Sequence, residues 1–246
     1  MTLLIRCISL AGSDRRARMA EQLDALPFDW SFFDACTVPP AGLPYDPART
    51  LARHGRELTR GELGCFASHW ALWRELAAMD DDAVMLVLED DILINPVFFA
   101  AMDRVAAAMR RYGYLRLYAK VPAGARYEGP FLDRHIARFS GRAYGTQAYL
   151  ITPATARHWL GSIREVVRPI DDEMDRYWAH GVPIRAAFPF PVMEVDYGST
   201  IEGKRRVATP LSKPQRLRWE WAKASEKAWR HLADLRSRVS GARTKR

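Results

Sequence analysis

An apolar run that ends in three acids, VMLVLEDDILI at residues 84–94, constrains the fold of this chain more than any other feature. Residues 84–88 have the length and composition of a buried strand, and Glu89, Asp90 and Asp91 follow at once. Acids in an apolar run need a partner, because desolvating an ionised carboxylate costs several kcal/mol. Ligands of open α/β sheets bind beyond the carboxyl ends of the strands, so we expect a ligand site at this sheet edge.

A hard divalent cation is one explanation of these acids. Mg²⁺ and Mn²⁺ take carboxylate oxygens and complete their shells with water and substrate phosphates. From composition alone, a solvated turn at the strand end explains the run equally well. A second acidic cluster, at residues 80–82, precedes the strand and falls on the opposite edge of the sheet, so we interpret it as a surface turn that ends a helix.

The N-terminal segment predicts a β-α-β unit. Residues 3–10 form a short apolar run, helical spacing connects Met19 to Leu26, and residues 28–35 are a second strand candidate. This alternation favours a parallel sheet covered by helices. The predicted fold class is therefore α/β, with a mostly parallel, Rossmann-related sheet flanked by helices.

Helix signals continue along the chain. Thr59 and Glu62 form a capping box, and the apolar residues behind them recur every three or four positions. The pattern predicts further helices over residues 95–111 and 171–180. Residues 38–55 contain four prolines and two glycines, which indicates an irregular loop.

Charge divides the chain into two parts. The formal net charge is +8 over 246 residues. Residues 211–246 contain 11 Lys and Arg against 3 Asp and Glu, so the whole excess belongs to this tail. The body at residues 1–210 is neutral and lacks the charge bias of nucleic-acid binders, so no nucleic-acid partner is expected. We predict one α/β domain over residues 1–210 and a basic helical tail over residues 211–246.

Cysteine usage and hydropathy favour a cytoplasmic protein. Residues 1–10 lack the basic start and the cleavage site of a secretory signal. No apolar run approaches the roughly 20 residues that a transmembrane helix needs. Cys7, Cys36 and Cys65 are odd in number and contain no C-x-x-C pair, which is typical of free thiols in a reducing compartment.

The tail combines an apolar stripe with basic faces. The stripe, at helical spacing, consists of Leu217, Trp221, Ala224, Ala228, Leu232, Leu235 and Val239. Lys and Arg crowd the other faces, and Trp219, Trp221 and Trp229 are rings that favour a lipid headgroup boundary. We therefore expect a peripheral protein on the cytoplasmic face of the inner membrane, with an anionic membrane surface as a partner. A helix packed on the body, with a frayed basic end, is the alternative.

Several sequence blocks occur in the order found in glycosyltransferase family 25, which the chain resembles and which includes lipopolysaccharide and lipooligosaccharide galactosyltransferases. The blocks are residues 5–10 with DRR at 14–16, FFDA at 32–35, LTRGELGCFASH at 58–69, VLEDDI at 87–92, YGTQAYLI at 144–151 and PIDD at 169–172. Each block alone is a weak signal, whereas the ordered set over residues 4–205 is specific.

The resemblance implies a GT-A-like fold, a nucleotide-sugar donor (typically UDP-galactose) and inversion at the anomeric carbon. In it, the Glu-Asp-Asp run replaces the metal-binding Asp-x-Asp of GT-A enzymes, with Mn²⁺ or Mg²⁺ as the cofactor. Asp91 would bind the metal directly. Asp90, together with Glu89, would hold the ribose or the metal and its waters. Glu89 departs from the family pattern, which has Asp at the first position.

Sugar transfer also needs a base for the acceptor hydroxyl. The metal eases departure of UDP by neutralising charge on the diphosphate. A carboxylate must deprotonate the acceptor as it attacks the opposite face of the sugar. Asp171 matches the family's Pro-x-Asp position and is the first candidate; Asp172 is the second. The helix dipole favours acids at a helix start in any case, which is the structural alternative for both.

Further donor-binding candidates come from the same blocks. Asp14 and Arg15 follow the first strand at the sheet edge that carries the acids, and Ser68 and His69 end the LTRGELGCFASH block. The others lie in a turn before a strand and in a basic run after a glycine: Gly145, Thr146, Gln147, Lys204 and Arg205. Helix-start charges, a helix histidine and a solvated basic run are the structural alternatives.

The predicted activity is the transfer of a sugar, galactose first, from a UDP-sugar to a hydroxyl of a lipopolysaccharide, a lipooligosaccharide or another glycan or glycolipid acceptor. A metal-dependent phosphohydrolase is one rival, although no histidine-rich ligand set accompanies the carboxylates. A catalytically silent, membrane-docked scaffold is the other, and the intact acidic run together with Asp171 argues against it.

Overall fold

The computed structural model describes residues 1–122, 124–195 and 211–243, with side chains of the last segment described as far as residue 236. Strands and helices are mixed along the chain, so the predicted α/β class is confirmed. The strands are Leu3–Ser9 (β1), Ser31–Asp34 (β2), Val84–Glu89 (β3), Ile92–Ile94 (β4), Tyr114–Arg116 (β5), Ala125–Phe131 (β6), Arg134–Phe139 (β7), Ala148–Ile151 (β8), Arg185–Phe188 (β9) and Val192–Glu194 (β10).

The helices flank the sheet. They are Arg15–Asp24 (α1), Pro47–His54 (α2), Arg60–Ala77 (α3), Pro96–Phe99 (α4), Met102–Met109 (α5), Pro153–Ser162 (α6), Ile170–Met174 (α7) and Tyr177–His180 (α8), with a 3₁₀ turn at Arg110–Tyr112 and a C-terminal helix at Lys213–Arg243. No helix of the described segments is both long enough and apolar enough to cross a membrane.

Within the described residues, eight strands form one sheet in the order β2-β1-β3-β8-β5-β9-β7-β6, and β4 pairs with β10 separately. β1 runs parallel to β2 and to β3, as the β-α-β pattern predicts. β8 runs antiparallel to both of its neighbours, and of the remaining pairs only β5 with β9 is parallel. The sheet is therefore mixed, and its parallel part brings the carboxyl ends of β1 and β3 to one edge.

The central strand β3 is buried because helices cover both faces of the sheet. Val84, Leu86 and Leu88 pack into the cluster that includes α1 and α5, whereas Met85 and Val87 face α3 and α6. All five side chains are completely buried. The apolar run of the sequence is thus explained by contacts on both faces, and the acids begin where those contacts end.

Helix α3 begins with the predicted capping box. The Thr59 hydroxyl accepts from the Glu62 amide at 3.2 Å, and the Glu62 carboxylate accepts from the Thr59 amide at 2.9 Å. Further along α3, Trp73 packs on Trp159 of α6, with ring centroids 4.7 Å apart. These contacts fix α3 on the sheet and so place His69 beside the end of β3.

Three predicted elements differ from the structure. Residues 38–55 are not wholly irregular, because Asp46 caps α2 by accepting from two backbone amides and Gly55, at φ 86, ends it. The helix predicted over residues 95–111 is divided into α4 and α5 with a 3₁₀ turn after them, and the one over 171–180 is divided into α7 and α8. The local pattern located these segments, but it did not detect the caps and breaks within them.

The C-terminal helix packs on the body of the protein against α2 and α8. Glu226 forms ion pairs at 2.6–3.1 Å with three arginines of the body, Arg142, Arg168 and Arg176. The indole of Trp219 lies so close to Gly55 that a Cβ there would meet the ring at 2.5 Å. The packed helix was the alternative interpretation of the tail.

As far as side chains are described, to residue 236, the predicted apolar stripe lies on a different face of this helix and stays largely in contact with solvent. Leu217 is 72% exposed and Trp221 75%, while Leu232 and Leu235 are also exposed. The stripe is therefore not the packing surface of the helix on the body, and it remains available for another partner.

Candidate active site

The predicted acidic strand end lies at the sheet edge where β1 and β3 finish. β3 ends at Glu89, and Asp90 and Asp91 connect it to the short strand β4. Ile8 of β1 pairs with Glu89 in register, and the turn after Ser9 leads into α1. The three acids therefore lie beside the start of α1, at the edge where α/β sheets bind ligands.

Asp90 is held by residues that follow β1. Its Oδ2 accepts from the hydroxyls of Ser9 at 2.6 Å and Ser13 at 3.4 Å. Its Oδ1 accepts from the guanidinium of Arg15 at 3.3 Å. Arg15 thus lies at the cluster, whereas Asp14 is exposed at the start of α1 and makes no capping hydrogen bond.

Asp91 is the least compensated member of the cluster. Its Oδ1 is buried and has no hydrogen-bond partner among the described residues. Burial, followed by the charges of Glu89, Asp90 and Glu194, raises the pKa of Asp91 to about 7. A divalent cation fits this arrangement, because the cluster offers several carboxylate oxygens, and its described ion pairs, Arg15 with Asp90 and Lys120 with Glu194, leave the buried Asp91 oxygen without a partner.

Glu194 is a fourth carboxylate of the cluster, and sequence reasoning missed it. The pairing of β10 with β4 places it opposite Ile92. One oxygen accepts from the Tyr118 hydroxyl at 2.9 Å, and the other accepts from Lys120 at 3.1 Å and from Gln147 at 3.2 Å. The pairing of strands far apart in sequence brings it here, so no local motif marks it.

The buried face of α3 supports Glu89. His69 Nε2 lies 3.3 Å from a Glu89 oxygen, and its Nδ1 lies 2.8 Å from the Tyr149 hydroxyl. The Ser68 hydroxyl donates to a carbonyl of its own helix and accepts from a backbone amide that follows β2. Both Ser68 and His69 are 0% exposed, which favours the helix-histidine alternative for His69 and gives the Ser68 hydroxyl a structural role.

A second set of metal-binding side chains overlaps the cluster. Ligand atoms of Cys65, His69 and Glu89 lie within 4.8 Å of one another. Both ring nitrogens of His69 already contact protein groups, and Glu89 also accepts from the Thr146 hydroxyl. We interpret this set as a hydrogen-bonded support for Glu89 and place the cation candidate at Asp91.

The predicted donor-binding turn before β8 contacts two of the acids. Thr146 donates to Glu89, and the Gln147 amide nitrogen donates to Glu194. The Gln147 side-chain oxygen is buried without a hydrogen-bond partner in the described parts of the chain. The turn therefore presents an unused acceptor beside the acidic cluster.

Gly145 connects this turn to the predicted base. Its φ is 80°, and a Cβ at this position would overlap the Gln147 side chain, so only glycine fits here. The Gly145 amide points to Asp171 Oδ2 at 3.5 Å. The other Asp171 oxygen accepts from the Asp172 amide at 2.9 Å. Asp171 is half-buried and lies at the edge of a cavity.

Asp172 lies deeper than Asp171. Its side chain is 6% exposed, 3.0 Å from an Arg142 nitrogen and 3.6 Å from His54 Nδ1. Burial raises the pKa of Asp172 to about 6, although the charge of Arg142 opposes the shift. Burial also lowers the pKa of His54 to about 4, so His54 is neutral at physiological pH. Asp171 is thus the more accessible of the two acids.

A buried ion pair connects the end of α7, which carries Asp171 and Asp172, to the turn before β8. Arg116 of β5 lies 2.7 Å from Asp175, and both side chains are almost completely buried. The other Asp175 oxygen accepts from the amides of Ala143 and Tyr144 at 2.7 Å each. This contact interrupts the helix predicted over residues 171–180 and gives Asp175 a structural role.

The cavity beside Asp171 and Asp172 has a volume of 460 Å³. Its walls come from α2, the segment before α3, the turn that precedes β8, the start of α7 and the C-terminal helix. They combine the aromatic rings of Tyr144 and Trp219 with the charged groups of Arg56, Glu62, Arg142, Asp171 and Asp172. Aromatic walls with a few convergent polar groups are typical of small-molecule sites.

Two predicted donor-binding residues, Lys204 and Arg205, lie outside the described residues.

Sequence reasoning missed Glu194, Arg142 and His54, and it grouped Trp219 with rings that would face a membrane. Only tertiary contacts reveal these four positions, since each belongs to an element that the chain brings back to the sheet edge from elsewhere.

Comparison with known proteins identifies the family. The profile of Glycosyltransferase family 25 (LPS biosynthesis protein) matches residues 4–174. A glycosyltransferase 25 family member of Aedes aegypti is 35% identical over 108 residues, which cover 41% of this chain and 18% of that protein. Procollagen galactosyltransferase 1-B of Xenopus laevis is 38% identical over 94 residues, which cover 35% of this chain and 15% of that protein.

A third relative, the inactive glycosyltransferase 25 family member 3 of Homo sapiens, is 28% identical over 183 residues, or 67% of this chain and 30% of that protein. The alignments thus span less than a third of the length of these relatives. The profile match contains the acidic strand end, the turn at Gly145 and both Asp171 and Asp172. The chain belongs to glycosyltransferase family 25.

Proposed function

We propose that the chain is an inverting glycosyltransferase with a GT-A-like fold that moves a sugar, galactose first, from a UDP-sugar to a hydroxyl of a lipopolysaccharide, a lipooligosaccharide or another glycan. Family membership supports sugar transfer. One observation supports the finer assignment: the acidic cluster lies on one side of the turn at Gly145, and Asp171 lies on the other. A UDP-sugar along this turn would place its diphosphate at the acids and its sugar near the base.

Asp91 and Asp90 are the residues that would hold Mn²⁺ or Mg²⁺, with Glu194 as a further carboxylate. The buried, unpaired Asp91 oxygen is the observation that supports this assignment. When bound, the cation neutralises negative charge that develops on the departing diphosphate. Arg15 fixes the orientation of Asp90, and Tyr118 does the same for Glu194.

Donor contacts are assigned to the turn before β8 and to the first acids of the cluster. The Gln147 side-chain oxygen has no hydrogen-bond partner among the described residues and can only accept a hydrogen bond. A hydroxyl of the transferred sugar can supply that hydrogen bond. Glu89 and Asp90 are the proposed contacts of the ribose. Lys204 and Arg205 stay candidates for contacts with the diphosphate.

Asp171 is the proposed base. Its carboxylate takes the proton from the acceptor hydroxyl as that oxygen attacks the anomeric carbon, from the face opposite UDP, so that the configuration inverts. Asp172 suits this role less, because it is almost fully buried and is paired with Arg142. The Asp172 amide instead orients Asp171 by donating to its Oδ1.

Galactose is the first choice of donor sugar because two relatives, from Xenopus laevis, are procollagen galactosyltransferases 1-A and 1-B. The experiment is a donor screen that measures UDP release from a panel of UDP-sugars with Mn²⁺, with and without a mixture of glycan acceptors. Release that requires an acceptor and is lost in Asp171→Asn supports the proposal. The exposed Asp133 provides the matched control, Asp133→Asn, which should behave as wild type.

Two other outcomes of the screen would overturn the proposal. UDP-sugar hydrolysis that proceeds equally without an acceptor favours a metal-dependent phosphohydrolase. No release from any donor by folded protein favours a catalytically silent scaffold, and one relative, the human family member 3, is named inactive.

The exposed stripe of the C-terminal helix favours a second role, contact with an anionic membrane surface. Leu217 and Trp221 are exposed on a segment whose basic residues exceed its acidic ones by eight. Each basic residue near such a surface contributes about 1 kcal/mol, and exposed apolar rings add burial in the headgroup region. This contact would bring the active site to a lipid-linked acceptor.

A further inference from the structure

The cavity beside Asp171 adjoins a second, basic cavity. The second has a volume of 320 Å³ and shares His54, Arg142 and Trp219 with the first. Among the described residues that line it, one is acidic, Glu226, and six are cationic. The cationic residues are Arg53, Arg142, Arg168, Lys223, Lys227 and Arg230.

Ion pairs within the protein neutralise part of this positive charge. Glu226 pairs with Arg142 and Arg168. The other acidic partners of the lining are not part of it: Asp172 for Arg142, Glu173 for Arg168, Glu165 for Arg53 and Glu220 for Lys223.

The two other cations have no such partner. Lys227 and Arg230 form no ion pair with a described residue, although Arg230 lies 5.8 Å from the centroid of the Trp178 ring. The cavity therefore keeps an excess of positive charge on the side formed by the C-terminal helix, and this excess would attract an anionic group.

Trp219 lines the junction between the two cavities, and Lys223 Nζ lies 4.2 Å from the centroid of its indole. An acceptor that presents its reactive hydroxyl to Asp171 would pass this junction, so its next groups would lie among the cations. Lys and Arg bind phosphate and carboxylate groups through charge-assisted hydrogen bonds.

We propose that the C-terminal helix completes an acceptor subsite that selects a saccharide carrying an anionic group, a phosphate monoester or a carboxylate, near the hydroxyl that receives the sugar. This inference rests on the proposed function, because it takes Asp171 as the reacting end of the acceptor. The helix lies outside residues 4–174, so the side of the subsite that it forms is not part of the region that matches the family profile.

Equilibrium binding to the full chain tests the subsite without requiring transfer. Calorimetry should compare lactose, its phosphate monoester and glycerol 3-phosphate. We expect the sugar phosphate to bind about 10- to 100-fold more tightly than lactose, since one or two charge-assisted contacts are added. Glycerol 3-phosphate represents a lipid headgroup without a sugar, and it should bind more weakly than the sugar phosphate.

A matched pair of double variants locates the effect. Lys227→Ala with Arg230→Ala should remove the preference for the sugar phosphate. Lys213→Ala with Arg216→Ala removes the same charge from the exposed start of the helix, away from the cavity, and should keep it.

Equal affinity for lactose and the sugar phosphate, or no binding of either, would overturn the subsite. So would glycerol 3-phosphate that binds as tightly as the sugar phosphate. A preference for the sugar phosphate that survives Lys227→Ala with Arg230→Ala would overturn it as well. The outcome is separable from that of the donor screen. Binding preference without UDP release contradicts the proposed function and keeps the subsite, whereas UDP release without preference contradicts the subsite alone.

Discussion

Replacing Asp91 by Asn should stabilise the metal-free protein at alkaline pH and abolish its response to Mn²⁺. Burial and the neighbouring acids raise the pKa of Asp91 to about 7. The rise of about three units above the ordinary value of an aspartate corresponds to about 4 kcal/mol at 1.36 kcal/mol per unit. Burial causes the largest part of this rise, and the rest is repulsion that the neighbouring carboxylates share, so we take about half of the total, about 2 kcal/mol, for Asp91.

The sign follows from proton linkage. The folded protein binds the Asp91 proton more tightly than the unfolded chain does, so this part of the stability is complete below about pH 4 and is lost as pH rises through about 7. Asn does not ionise. The advantage of Asp91→Asn over wild type should therefore grow across this window and reach its full size at pH 8, where about 2 kcal/mol raises Tm by about 4–8 °C for a chain of this length.

Thermal unfolding in EDTA at pH 8 and at pH 4.5 measures this advantage, and a titration with Mn²⁺ at pH 8 measures the metal response. Wild type should gain about 2.7 kcal/mol at a Mn²⁺ concentration 100 times its Kd. Asp91→Asn should gain little, and Asp133→Asn, at an exposed turn, should match wild type throughout. A lower Tm for Asp91→Asn in EDTA at pH 8, or an undiminished response to Mn²⁺, would refute the reasoning.

Three further predictions concern the base, the C-terminal helix and the exposed stripe. Asp171→Asn should lower kcat by about 10²–10⁴-fold with little change in UDP-sugar affinity, and an equal loss of donor affinity would assign Asp171 to donor binding instead. Glu226→Gln should lower the free energy of unfolding in urea by about 2 kcal/mol, because three arginines lose a shared carboxylate; an unchanged value would show that these ion pairs do not hold the helix. Leu217→Ser with Trp221→Ser should reduce sedimentation with anionic vesicles at low salt at unchanged Tm, since both side chains are exposed. Undiminished sedimentation would exclude the stripe as the membrane contact.

Local patterns in the sequence predict β3, its acids and the cap of α3, because each depends on residues within a few positions of one another. The apolar run of β3 is buried on both faces, and Thr59 and Glu62 form the capping box in both directions. Helix α2 escaped prediction because prolines dominate its segment, while its start and end depend on the cap at Asp46 and on the left-handed Gly55.

Tertiary contacts decide what local patterns leave open. Glu194 joins the acidic cluster only through the pairing of β10 with β4. The periodicity of the C-terminal helix identifies an apolar stripe, but it does not tell which face meets the body. Trp219 and Glu226 form that contact, so the stripe with Trp221 remains exposed.

The central claim is that the carboxylates at the end of β3 and Asp171 act together in metal-assisted sugar transfer. The most direct test is UDP release from UDP-galactose by the full chain, in the presence of a glycan acceptor, with Mn²⁺ or with EDTA. We expect acceptor-dependent UDP release by wild type with Mn²⁺, and EDTA should remove this release reversibly. Asp91→Asn should release no UDP, even with Mn²⁺. Undiminished acceptor-dependent release in EDTA, or by Asp91→Asn, would contradict it.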